Sequence, residues 1–209
     1  MNPSTIHGLY AITDPQLIAS EQMITKVAHA IQGGAKIIQY RDKGHDHEKQ
    51  LWEATDLANL CRTLNVMLII NDNAMLASQV GAQGVHLGDE DSDINEARKI
   101  LGDSAIIGIS CYNKFSNAVA AVEQGADYIA FGRFFPSTTK PDAVQADLSL
   151  LKQAKAELNI PVVAIGGITP ENGASLIQAG ADALAVIHGV FGQSDITAAA
   201  ARYAALFQN

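Results

Sequence analysis

Positive charge is in deficit in this 209-residue chain, where 14 Lys and Arg stand against 22 Asp and Glu for a net charge of −8. That sign disfavours nucleic acid or an anionic membrane surface as a partner. An anionic small molecule stays compatible, because a local cluster of cations can oppose the overall charge. Cysteine occurs twice, at Cys61 and Cys111, with no CxxC and no zinc spacing. Both lie in apolar segments and read as buried free thiols. Proline is scarce at 6, and with 17 glycines the composition excludes collagen-like and Pro-rich linker classes. Charged residues make up only 17% against 48% apolar, which rules out a disordered chain. No apolar run approaches the roughly 18 residues that span a bilayer. Met1-Asn2-Pro3-Ser4-Thr5 lacks the basic and apolar stretches of a signal peptide, so the expectation is a cytosolic chain.

What is present is a rhythm. Short apolar runs rich in Ile, Val and Leu fall at 8–13, 36–41, 67–72, 84–87, 105–110, 128–132, 161–167 and 183–187. They are mostly continuous rather than alternating, as expected of parallel strands buried on both faces. Between them the apolar residues take helical spacing: Met23, Val27 and Ile31; Leu51, Ala54, Ala58 and Cys61; Leu151, Ala154 and Leu158; Ile196, Ala200 and Tyr203. Start signals agree, with Asp93 three residues before Glu96 and Thr169 just before Pro170. Gly34-Ala35, Gly81-Ala82, Gly125-Ala126 and Gly180-Ala181 each close a helical run before the second, fourth, sixth and eighth strands. Glycine supplies the left-handed residue that ends a helix. The four pairs fit either a repeat of double βα units or the common preference of helix-to-strand loops for Gly.

Eight strands alternating with helices allow a closed (β/α)8 TIM barrel or an open doubly wound sheet. An open nucleotide-binding sheet needs a glycine-rich phosphate loop after its first strand. Thr13-Asp14-Pro15-Gln16 stands there instead, so the barrel is preferred. The chain is shorter than the ~250 residues of a typical barrel. With no linker or composition shift, one domain over residues 1–209 is expected.

Barrel active sites lie at the carboxyl ends of the strands. There the sequence places Gln39-Tyr40-Arg41-Asp42-Lys43, Asn71-Asp72, His86, Asp89-Glu90-Asp91, Ser110, Gly132-Arg133, Gly166-Gly167 and His188-Gly189. Each has an ordinary reading. Asn71-Asp72 suits a turn or helix cap, and Asp89-Glu90-Asp91 an acidic first turn. His86 reads as a hydrogen-bonded core histidine, His45 and His47 as solvated. Together they say more. Gln39, Arg41 and Lys43 alternate, so a strand would put them on one face. Arg41, Lys43 and Lys140 converging with Asp72 and Asp91 calls for a bridge, and a divalent cation holding phosphate oxygens supplies one. The expected ligand is a Mg²⁺-bound diphosphate or similar. Gly166-Gly167 and His188-Gly189 close strands seven and eight, where barrels often hold a phosphate on backbone N–H groups. The hydroxyls of Ser137, Thr138 and Thr139 suit either phosphate. They belong to a long polar stretch between Arg133 and Asp147, able to act as a lid.

These stretches, with Ile70-Asn71-Asp72, Gly84-Val85-His86-Leu87-Gly88, Gly108-Ile109-Ser110, Thr138-Thr139-Lys140 and Ala164-Ile165-Gly166-Gly167-Ile168, are specific as an ordered set. Over residues 9–191 the chain resembles the thiamine phosphate synthase (thiamine-phosphate pyrophosphorylase) family. The resemblance implies a (β/α)8 barrel that joins 4-amino-2-methyl-5-hydroxymethylpyrimidine diphosphate to 4-methyl-5-(2-hydroxyethyl)thiazole phosphate. It further implies that Gln39, Tyr40, Arg41, Asp42, Lys43 and Asn71 contact the pyrimidine diphosphate, with Ser110 and Lys140. Asp72 and Asp91 would hold Mg²⁺, and Arg41, Lys43 and Lys140 would carry the catalytic charge. Ser137, Thr138, Thr139, Gly167, Ile187 and His188 would take the thiazole phosphate. Ser137 stands where the family usually has Thr, Asp89 where Gln is usual, His188 where a small hydroxyl residue is usual, and Arg133 where Pro is commoner. A thiazole tautomerase of the same barrel family and a non-catalytic phosphate-binding barrel are the alternatives. The partners expected are small molecules, with no nucleic acid and no membrane, and the sequence specifies no oligomeric state.

Overall fold

Eight short strands are almost wholly buried, and their side chains split by the period of two into an inner and an outer set. A computed structural model describes residues 6–88, 93–136 and 144–208. The strands are β1 Gly8–Ile12, β2 Ala35–Tyr40, β3 Met67–Asn71, β4 Gly84–Leu87, β5 Ile106–Tyr112, β6 Tyr128–Gly132, β7 Val162–Ile165 and β8 Ala183–Val186. All pairings are parallel, and β1 bonds to both β2 and β8, so the sheet closes in sequence order. The closed barrel is therefore observed and the open sheet is not.

Tyr10, Ile12, Ile37, Ile69, Tyr128 and Val163 pack inside the barrel. Leu9, Ala11, Ile38, Tyr40, Leu68 and Ile70 point outward, under the helices. Those helices are α1 Met23–Gln32, α2 His47–Thr63, α3 Ala74–Val80, α4 Ile94–Leu101, α5 Phe115–Glu123, α6 Leu148–Glu157, α7 Pro170–Ala179, α8 His188–Phe191 and α9 Ile196–Ala204. Their starts carry side-chain caps at Asp46, Asn73, Asp93, Asp147 and Asp195. Thr169 forms a capping box with Asn172 ahead of Pro170, as that pair of residues predicts. Asp93 caps through the amide of Asn95. One helical face differs from expectation. In α2 the buried stripe is Ala54, Leu57, Ala58 and Cys61, while Leu51 is 42% exposed. Both cysteines are buried, and neither forms a disulfide.

The four Gly-Ala pairs prove to be more than loop preference. Gly34, Gly81, Gly125 and Gly180 all have left-handed φ, from 66° to 118°. The residue after each Ala then locks the neighbouring strand in three of the four cases. Gln83, Asp127 and Asp182 accept the amides of Leu68, Ile107 and Val162 at 2.8–2.9 Å. Their own amides donate back to the carbonyls of the same three residues. Lys36, at the fourth place, has no oxygen to offer. These locks lie at the amino ends of the strands, opposite the barrel mouth.

Candidate active site

A cavity of about 730 Å³ opens at the carboxyl ends of the strands. Seven of the expected site residues line it: Gln39, Arg41, Asn71, Ser110, Gly167, Ile187 and His188. They come from five strands or the loops just past them. β2 and β3 each stop one residue short of the expected end, so Arg41 and Asp72 stand just beyond β2 and β3.

Gln39 is inward-facing and buried. Arg41 is set by a strut from the first strand end, where its amide donates to the hydroxyl of Thr13 at 2.9 Å. Thr13 is itself fully buried, and its amide donates to the Gln39 carbonyl at 2.9 Å. Asp72 has a left-handed φ of 63°, which is uncommon for a residue other than glycine. Its carboxylate pairs with the Lys43 ammonium. The cap of α3 is Asn73, not Asn71 or Asp72, so the capping reading does not account for those two residues. Lys43 and Asp72 thus pair just past the strand ends, while Arg41 lines the cavity and neither Lys43 nor Asp72 is among its lining residues. Asp91 and Lys140, with Ser137, Thr138 and Thr139, lie outside the described residues, as does Asp89.

Two side chains expected at the ligand are turned elsewhere. Tyr40 follows Gln39 on a strand, so the period of two sends it outward, where its hydroxyl donates to Glu53 at 2.6 Å. The Asp42 carboxylate is taken by Lys49 at 2.8 Å and by the amide of Gly44 at 2.7 Å. Gln50 adds bonds to the carbonyls of Asp42 and Gly44. Partial burial raises the Asp42 carboxyl. The Lys49 hydrogen bond and then the Gly44 amide outweigh that and hold it below the ordinary carboxylate value. These contacts fix the loop that carries Arg41 and Lys43. Sequence reading missed Glu53, Lys49 and Gln50 because helical spacing shows them as ordinary members of α2.

On the opposite side of the cavity, Gly166 and Gly167 have φ of 100° and 65°. A Cβ on Gly167 would stand 2.4 Å from the Pro136 carbonyl oxygen, so only glycine lets the two loops close. Ile187 and His188 open α8, and His188 is exposed beside Gly166 and Gly167 in the lining.

The family model described as thiamine monophosphate synthase matches residues 9–190. The chain belongs to the thiamine monophosphate synthase family. A thiamine-phosphate synthase of Nitrosococcus oceani is 56% identical over 200 residues, covering 96% of this chain and 92% of that protein. One from Alcanivorax borkumensis is 48% identical, covering 97% and 95%. Among solved structures, thiamine phosphate pyrophosphorylase from Pyrococcus furiosus superposes with a TM-score of 0.87 at 32% identity, covering 99% and 97%.

His86 is the buried, hydrogen-bonded histidine that the sequence suggests, and only its partners were not announced. His86 Nε2 lies 2.9 Å from Ser110 Oγ, and His86 Nδ1 lies 2.8 Å from the Tyr128 hydroxyl. A serine beside a histidine resembles a nucleophile and its base. The third member here is a neutral phenol whose pKa burial pushes well up, so it supplies no negative charge to an imidazolium. The available signal was a tyrosine at inward positions of apolar strands, since a buried phenol needs a partner for its hydroxyl.

Proposed function

We propose that this protein is a thiamine-phosphate synthase that joins the aminopyrimidine diphosphate to the thiazole phosphate, releasing diphosphate. The observation that carries this reading is a cavity at the barrel mouth with polar strand ends on two sides. Gln39, Arg41, Asn71 and Ser110 line one side, and Gly167, Ile187 and His188 the other. The bond between the pyrimidine methylene carbon and the diphosphate oxygen breaks, and its electron pair leaves with diphosphate. The thiazole ring nitrogen then donates its lone pair to that carbon. The attacking nitrogen has no proton to lose, so no general base is required. The electron-rich aminopyrimidine supports a dissociative order.

Gln39, Asn71 and Ser110 orient the pyrimidine, while Arg41 and Lys43, with Lys140, face the charge that builds on the leaving group. Magnesium fits the residues present. It takes one or two carboxylates plus phosphate oxygens rather than a full protein cage, and Asp72 offers a part-exposed carboxylate next to the cavity-lining Asn71. Among the described residues no group of three or more His, Cys, Asp or Glu forms a cage. Asp72 and Asp91 would hold the ion, which when bound supplies charge neutralisation to the departing diphosphate. A tautomerase needs one phosphate site and a proton shuttle, which leaves Arg41, Lys43 and Asp72 without a task.

Free small-molecule substrates and cysteines outside any disulfide suit the cytosol, with the whole chain working as one barrel unit. No helix among the described residues is long and apolar enough to cross a membrane. The test is one assay, in which both precursors are incubated with Mg²⁺ and thiamine phosphate is sought, with EDTA as control. Product is expected only when both precursors and the metal are present. Its absence under those conditions overturns the reading.

A further inference from the structure

A continuous chain of four hydrogen bonds runs through the barrel interior. Gln39 Nε2 donates to the Tyr10 hydroxyl at 2.8 Å, and the Tyr10 and Tyr128 hydroxyls are 2.9 Å apart. Tyr128 then meets His86 Nδ1 at 2.8 Å, and His86 Nε2 meets Ser110 Oγ at 2.9 Å. Both ends of the chain line the ligand cavity. Tyr10 and His86 border the cavity floor as well, yet all three middle members are buried, with Tyr10 and Tyr128 at most 1% exposed. Room for it is built in, because a Cβ on Gly108 would stand 1.9 Å from the Tyr128 ring.

Such a chain has a direction. A hydroxyl carries one proton, and a neutral imidazole donates from one nitrogen and accepts at the other. Gln39 donates to Tyr10, so Tyr10 donates to Tyr128 and Tyr128 donates to His86 Nδ1. His86 is then the Nε2–H tautomer and donates to Ser110. A reversal at any link leaves a buried hydroxyl proton without an acceptor, which is costly. Gln39 therefore keeps its Oε1 as an acceptor for the cavity, and Ser110 keeps its O–H as a donor. In this direction Gln39 offers the cavity its Oε1 together with its second Nε2–H, whereas turning the whole chain round commits Oε1 to Tyr10 and the Ser110 O–H to His86.

We propose that Tyr10, Tyr128 and His86 are positioning residues that lock Gln39 and Ser110 into opposite hydrogen-bonding characters, and so select an amidine edge over an oxo edge on the pyrimidine. A 4-aminopyrimidine offers a donor amino group beside an acceptor ring nitrogen. The 4-oxo analogue offers an acceptor beside a donor, and it loses the pairing with Gln39 Oε1 and the Ser110 hydroxyl proton unless every link reverses. The same direction makes Ser110 an acceptor from His86, so the histidine does not deprotonate it. Burial raises the pKa of the Tyr10 and Tyr128 hydroxyls, which keeps both as proton carriers. The specificity part of this inference rests on the proposed substrates; the direction of the chain does not.

The experiment has two arms on the full-length protein with Mg²⁺. In the first, ¹⁵N–¹H correlation of the imidazoles, with His86 assigned by its loss in His86→Gln, is expected to show one neutral Nε2–H tautomer. Tyr128→Phe, which removes only the hydroxyl, is expected to give a mixture. In the second arm, kcat/KM is compared for the 4-amino diphosphate and its 4-oxo analogue. Tyr128→Phe should reduce the preference for the amino compound at least tenfold, with the KM for thiazole phosphate unchanged. Tyr10→Phe breaks the neighbouring link and should behave alike, which guards against one variant failing to fold. An Nδ1–H or doubly protonated His86 in the wild type overturns the proposal, as does an unchanged preference in both variants. If the wild type makes no thiamine phosphate, the substrate assignment fails, and the tautomer arm alone decides the chain.

Discussion

The ammonium of Lys43 closes on the carboxylate of Asp72 across the gap between the loop after β2 and the end of β3. Lys43 is 57% exposed there, and such pairs add at most about 1 kcal/mol to stability. The pairing is better understood as placement, holding a cation and a candidate metal ligand together before substrate arrives. Asp72→Asn should leave thermal stability almost unchanged and lower kcat at saturating substrates by about 100-fold. Turnover measured against Mg²⁺ concentration checks this, and full metal-dependent activity in the variant would remove Asp72 from the metal site.

His188 tests the other half of the cavity. It is exposed, and its ring lies so close to Gly192 that a Cβ there would be 2.8 Å away. If the backbone at the start of α8 does the binding, His188→Ser should leave kcat unchanged and keep or lower the KM for thiazole phosphate. A fall in kcat/KM beyond about tenfold, roughly 1.4 kcal/mol, would assign the imidazole a task of its own.

The loop after β2 should respond to pH through Asp42 and Lys49. The folded Asp42 carboxyl sits below its ordinary value, so its contribution is complete above about pH 4 and is lost as the pH falls through the lower folded value. Lys49 is raised, chiefly by its hydrogen bond to Asp42, so its contribution is present below about pH 10 and lost as the pH rises through the higher folded value. Urea unfolding across the acid range should show Asp42→Asn with a flatter pH dependence than the wild type. The KM for the pyrimidine diphosphate should rise several-fold in the same variant, because Arg41 and Lys43 lose their frame. Equal acid limbs in the two proteins would discard this account.

At the far end of the barrel the expectation is reversed. The Asp182 carboxylate accepts from the buried Val162 amide at 2.9 Å and from Lys155 at 2.8 Å. Asp182→Ala strands that amide and should cost about 1–3 kcal/mol, with kcat unchanged. Chemical denaturation and a steady-state assay on one preparation separate the two effects, and loss of turnover without loss of stability would contradict it.

Much of the barrel was legible because a parallel strand buried on both faces has to be apolar throughout, and the runs at 84–87 and 128–132 match β4 and β6 residue for residue. The strand ends were less legible. Asp72 reads as the last residue of a strand, yet its left-handed φ ends β3 at Asn71. At the site, charge type and spacing were enough to pair Lys43 with Asp72 and to put Arg41 on the cavity wall. They were not enough for Tyr40 or Asp42, whose directions depend on where pleat alternation gives way to a loop tied by α2. The interior tyrosines were hidden for another reason, since their partners are 42 and 118 positions away in sequence.

The reciprocal amide locks made by Gln83, Asp127 and Asp182 occupy one pole of the ring, and the ligand cavity the other. A molecule fastened at its base and reactive at its rim can be toughened without being retuned. Lineages or laboratories seeking heat tolerance would find their freedom below the sheet, and those seeking a different substrate would find theirs above it.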